Sequence, residues 1–162
     1  MTIYTGASGL NPTDPLLKQL QQNPFSDFPV EVARFNRLDL SGRFVKAADP
    51  KVLVTKGIPF IIHKPTTSEL MENNLETSRY VGYILDLVST MHDTTQVITG
   101  KLRLLKTSKA KREFKEALTD SGEILHLGYS GVTRGAVKEG KIELEIIALR
   151  SFHVNLLLPT EA

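Results

Sequence analysis

The feature that most constrains this chain is residues 97–122, VITGKLRLLKTSKAKREFKEALTDSG, where an alternating apolar pattern runs directly into one with helical spacing. Ile98, Gly100, Leu102 and Leu104 fall on one side of an extended segment, and Lys101 and Arg103 fall on the other. That period of two is the signature of a strand with one buried face. Ala110, Phe114, Ala117 and Leu118 then stand at i, i+4, i+7 and i+8, a core-facing helical stripe. Ser108 is placed to cap this helix and Gly122 to stop it in a left-handed conformation. Between Lys101 and Lys115 the stretch also concentrates charge: Lys101, Arg103, Lys106, Lys109, Lys111, Arg112 and Lys115 stand against the single acid Glu113. Cations in the first turns of a helix oppose its dipole, a pattern that suggests an anion to receive.

The rest of the chain reads largely as β. Residues 79–90 alternate Val81, Tyr83, Leu85 and Leu87 on one face, and the polar turn from His92 to Thr95 joins them to the first strand of the basic stretch as an antiparallel hairpin. An earlier strand carries Leu38, Leu40, Gly42 and Phe44 on one side and Arg37, Asp39, Ser41 and Arg43 on the other, with a bulge signal at Gly42. After the helix, residues 123–129 and 141–152 read as strands, joined by GYSGVTRGAVKEGK, whose glycines predict a flexible connection. Residues 49–77 read as an insertion: a turn at Asp49-Pro50, a small hairpin from the runs 52–55 and 58–63, and a helical turn or two over 68–75. Residues 1–29 hold Gly6, Gly9, Pro12, Pro15, Pro24 and Pro29 around one short helix, 15–22, and read as a flexible arm.

At 162 residues and 41% apolar side chains the chain can bury one core. The expected organisation is an arm (1–29), a single domain (30–158) and a tail (159–162). Cysteine is absent, which fits a reducing compartment. The first fifteen residues lack a basic start with an apolar core, and no apolar run approaches the roughly 18 residues of a membrane span. The expectation is a cytoplasmic protein away from the membrane.

With 49–77 set aside, the order is β-β-β-α-β-β, with the helix between the third and fourth strands. That order resembles the OB-fold, a five-stranded Greek-key barrel, over residues 30–152. Within that family the likeness is to small single-stranded DNA-binding proteins of phage, plasmid or replication-accessory type. The resemblance implies binding of single-stranded nucleic acid with little sequence preference, by cations on a strand face plus stacked bases, and it implies no cofactor. The chain departs from the bacterial pattern in ending LLLPTEA instead of in an acidic tail.

Such binding needs cations along the backbone and flat side chains for the bases. The candidate cations are Arg37, Arg43, Lys46, Lys51, Lys56 and Lys64, with Lys101, Arg103 and Lys106; the candidate stacking residues are Phe60, Tyr80 and Tyr129, with Phe35 a further aromatic. Enzyme readings are weaker. His63, His92, His126 and His153 have no metal-ligand spacing, and Gly128-Tyr129-Ser130-Gly131 lacks the G-x-S-x-G of a nucleophile elbow. No catalytic activity is expected. The alternative reading is a viral or phage assembly protein, or an interaction module, that self-associates through strand edges. Leu156, Leu157 and Leu158, an apolar run without alternation, support a homo-oligomer in either case.

Overall fold

The computed structural model describes residues 2–39, 42–53, 56–62, 80–138 and 140–154. Among them are nine strands in one sheet and two helices: β1 (Thr2–Pro12), α1 (Thr13–Gln22), β2 (Phe28–Phe35), β3 (Arg37–Leu38), β4 (Phe44–Lys46), β5 (Ile58–Ile61), β6 (Tyr80–His92), β7 (Thr95–Leu104), α2 (Ser108–Ser121), β8 (Ile124–Lys138) and β9 (Lys141–Val154). The main path runs β1-β8-β9-β5-β6-β7-β2. β9 is the pivot. It pairs antiparallel with β8 along one edge, and along the other it runs parallel first to β4 (Val45↔Leu144) and then to β5 (Phe60↔Phe152).

The sheet curls until its two end strands, β1 and β2, meet. They join through side chains in place of a backbone ladder. Asn11 Nδ2 donates to the Glu31 carbonyl and Glu31 N donates to Asn11 Oδ1, both at 2.8 Å. Leu10 N donates to Glu31 Oε2, and Arg34 N to Ser8 Oγ. The approach is tight: a Cβ at Gly9 would lie 2.5 Å from the Glu31 carbonyl oxygen. The result is a nearly closed, barrel-like sheet.

Its interior follows from the alternation. Leu125, Leu127 and Tyr129 of β8 and Phe152 and Val154 of β9 point inward and are fully buried. The apolar stripe of α2 packs there too, with Phe114 edge-on to Phe28 (5.3 Å) and Phe60 (6.2 Å). The helix begins as expected at Ser108, but the cap is Thr107, whose hydroxyl accepts from Ala110 N. Gly122 ends it at φ +76°.

Several expectations are corrected. The sheet has nine strands instead of five, so the OB-like detail is not what the chain adopts. The segment expected to be a flexible arm supplies β1, paired with β8 from Thr2↔Thr133 to Pro12↔Ile124, and α1, with Leu16 and Leu20 buried. The glycine-rich connection after residue 128 is strand, because β8 continues to Lys138 and its glycines permit close packing: a Cβ at Gly131 would sit 2.7 Å from the Ala148 carbonyl. Where a small hairpin around Lys56-Gly57 is expected, the described residues hold a 3₁₀ turn, Pro50–Leu53, and a strand of the main sheet, Ile58–Ile61. The helix expected at 68–75 and the apolar run 156–158 lie outside the described residues. No helix among the described residues is long and apolar enough to cross a membrane.

Candidate functional site

The strand face that the sequence singles out is electrically quenched. Arg103 donates to Asp27 through Nε (2.9 Å) and Nη2 (3.2 Å), and that hydrogen-bonded guanidinium holds the Asp27 carboxyl below its ordinary pKa. Lys101 Nζ lies 3.7 Å from Asp86. Lys46 lies 3.6 Å from Glu143, and Arg43 stands over the Tyr4 ring at 5.9 Å. Arg37, Lys51, Lys56 and Lys106 are exposed but belong to four separate places: β3, the 3₁₀ turn, the approach to β5 and the approach to α2. Lys64 lies outside the described residues. The aromatic candidates do not line a groove. Phe60 and Tyr129 are 0% exposed and pack in the interior, and only Tyr80, half-buried at the start of β6, reaches the surface. Bases stack on open ring faces, which buried rings do not offer.

A different group of residues is drawn together on the outer face of β8 and β9. Because Leu127, Tyr129, Phe152 and Val154 point inward, Gly128, Ser130, Ser151 and His153 point outward. The register sets Gly128 against His153 and Ser130 against Ser151. Ser151 Oγ donates to Ser130 Oγ at 3.2 Å. The His153 imidazole lies close against Gly128, where a Cβ would stand 2.4 Å from its Nε2. His126 continues the same row on β8; burial lowers its pKa, so it favours the neutral form. Ser130, Ser151 and His153 are all 0% exposed. Immediately past Ser130 the ladder is bulged, with Gly131 opposite Leu149 and Arg150 as the extra residue of β9. Bulges of this kind re-aim neighbouring side chains and recur beside active sites.

The inner side of the same strand is polar as well. The Tyr4 hydroxyl donates to the Asp39 carboxylate. The Tyr129 hydroxyl, buried nearby, has its pKa raised well above the ordinary tyrosine value, first by burial and then by Tyr4 and Asp39. Gly6 makes room for this meeting, since a Cβ there would lie 2.7 Å from both Asp39 Oδ2 and Tyr129 Oη. The Tyr129 ring is held on the inside by packing against Tyr4 and Phe35, one residue before Ser130 on the opposite face.

The sequence shows these serines and histidines only as scattered residues. Ser130 sits in a tetrapeptide without elbow spacing, and His153 has no histidine partner nearby in the chain. The available signal is alternation: Gly128/Ser130 and Ser151/His153 are the small or polar members of strands whose other members are large and apolar.

No protein-family model and no curated protein sequence matches the chain. Among solved structures, the chain is similar to the bacteriophage T4 capsid assembly protease gp21, with a TM-score of 0.58 and 11% identity, over 94% of this chain and 96% of that one. At that identity the likeness is one of fold. It overturns the reading as a single-stranded nucleic-acid-binding protein of replication, two of whose stacking residues, Phe60 and Tyr129, are in any case buried and whose β7 cations, Lys101 and Arg103, are paired. It also removes the expectation of a non-enzymatic chain, because the fold is one that a protease uses.

Proposed function

We propose that this chain is a phage-type capsid assembly protein carrying a serine peptidase site, with Ser130 as nucleophile and His153 as general base. One observation carries the reading: a buried Ser-Ser-His group lies on the β8–β9 pair of a chain similar over nearly its whole length to a capsid assembly protease. Ser130 accepts the Ser151 proton and so keeps its own for transfer. His153 faces it diagonally across the ladder, within reach of a long side chain.

In the reaction, Ser130 Oγ attacks the scissile carbonyl carbon while its proton passes to the imidazole. Collapse of the tetrahedral intermediate breaks the C–N bond, and the leaving amine takes that proton. Water, deprotonated by the same imidazole, then hydrolyses the acyl-serine. His126, two residues before Gly128 on the same strand, favours the neutral form and so adds no positive charge to this row. The substrate class is polypeptide, with the shell and scaffold proteins of the same particle as the natural candidates.

The test combines labelling with turnover. Purified protein is treated with a fluorophosphonate, digested and mapped by mass spectrometry, and in parallel is incubated with co-expressed shell proteins. An adduct on Ser130 is expected, together with cleavage that Ser130→Ala abolishes. An adduct-free Ser130 with no cleavage in either format overturns the proposal.

A further inference from the structure

The outer half of β6 offers an open strand edge. β5 accompanies β6 only to Ile84, whereas β7 follows it to the tip, His92↔Thr95. Among the described residues no strand pairs with residues 88–92 on the side away from β7. A bulge marks where the ribbon departs: Leu85 faces Lys101 and Val88 faces Thr99, so Asp86 and Leu87 share one position, with Asp86 at φ +54°. Sheet proteins protect such edges with lysine, proline or a covering element. Residues 88–92, VSTMH, contain neither lysine nor proline, and Val88 and Met91 are 54% and 55% exposed.

The geometry points to this edge as the docking strand for the same edge of a second copy of the chain. The segment is self-complementary. In antiparallel pairing about Thr90, Thr90 meets its own twin, Ser89 meets Met91, and Val88 meets His92, so no like charges oppose one another. Val88 also lines an open depression of about 420 Å³ with Glu31, Asp86 and Lys101. The two-fold therefore brings the partner's His92 imidazole toward a depression bordered by two carboxylates, a complement that an arbitrary apolar strand would lack. A five-residue ladder buries less than the roughly 1,200 Å² of a standard interface, so the pairing is weak for isolated chains and is favoured at high local concentration.

The chain contains no cysteine, which permits a direct test that reads mass instead of turnover and stands apart from the peptidase proposal. Antiparallel partners at a two-fold approach closely enough for a disulfide. Thr90→Cys, oxidised mildly, is expected to yield covalent dimer much faster than Thr119→Cys on the exposed face of α2. Sedimentation of the wild type is expected to show a concentration-dependent dimer, with Val88→Lys and Met91→Lys each raising its Kd by about tenfold or more. Both sites are exposed, so the folded monomer survives these changes. Cross-linking of Thr90→Cys no faster than the control, or a wild-type dimer indifferent to both lysines, overturns the inference. So does a dimer that forms through another surface, or an edge that captures only unrelated peptide strands.

Discussion

At the residue scale, Gly128 is the tightest point of the proposed site. Its missing side chain is where His153 lies, and an added methyl would meet Nε2 at 2.4 Å and the Gly6 carbonyl oxygen at 2.8 Å. The imidazole can turn away, but the backbone of β1 has less freedom. Gly128→Ala is expected to cost about 1–3 kcal/mol through overpacking. It is also expected to lower kcat far more than it raises KM, as read by peptide turnover beside a urea melt. An unchanged kcat would remove His153 from the mechanism. His126 allows a second check. Its folded pKa lies below the ordinary value, so in the window between the two the unfolded chain binds a proton that the native state refuses. Stability contributed by neutral His126 is therefore present above about pH 6.5 and is lost as the pH falls below it. Urea midpoints followed across that range should slope upward with pH, and His126→Asn should flatten the slope. None of this is readable from spacing. Ser130 and His153 are 23 positions apart and become neighbours only because β8 and β9 form one long hairpin.

At the scale of elements, the β1–β2 seam is the joint that replaces a ladder with side chains. Asn11 satisfies both backbone groups of Glu31, and Asn11 is itself buried. Asn11→Ala leaves a donor and an acceptor without partners where β1 closes on β2. The expected loss is about 2 kcal/mol at an unchanged denaturant slope, measured by urea unfolding. A loss below about half a kcal/mol would mean that water replaces the amide there. The same joint explains which elements sequence reveals. The β6–β7 hairpin and α2 were legible because their partners are adjacent in the chain and their apolar periods are clean, Ile98 to Leu104 and Ala110 to Leu118. β1 was not, because Gly6, Gly9 and Pro12 read as breakers. In the fold Gly6 admits the contact of Asp39 with Tyr129, Gly9 admits β2, and Pro12 is the residue from which α1 starts. Glycine marks close approach as often as it marks a turn, and only the distant partner says which. The cations of β7 misled for a related reason: charge is visible in sequence, while the carboxylates that neutralise Lys101 and Arg103 come from other elements.

At the scale of the whole molecule, the question is whether the first strand belongs to the fold or merely rests on it. β1 pairs with β8 along its length, carries the Tyr4 hydroxyl to Asp39, and places Thr5 and Ala7 beside Ser130 and Gly128. Removing residues 1–12 exposes the edge of β8 from Ile124 to Thr133, opens the seam at Glu31 and leaves the interior of the barrel bordered by solvent. The loss cannot be repaired locally, because the next strand on that side is β2, which reaches β8 only around the closed sheet. The truncated chain is expected to lose its cooperative thermal transition and to bind a hydrophobic dye. By contrast, Lys111→Glu with Lys115→Glu on the exposed face of α2 should leave stability within about 0.5 kcal/mol per substitution. Calorimetry on the two variants beside the intact protein decides the matter. If the truncated chain melted at the wild-type temperature, β1 would be an appendage after all, and the serine site on β8 would have to be supported by β9 alone.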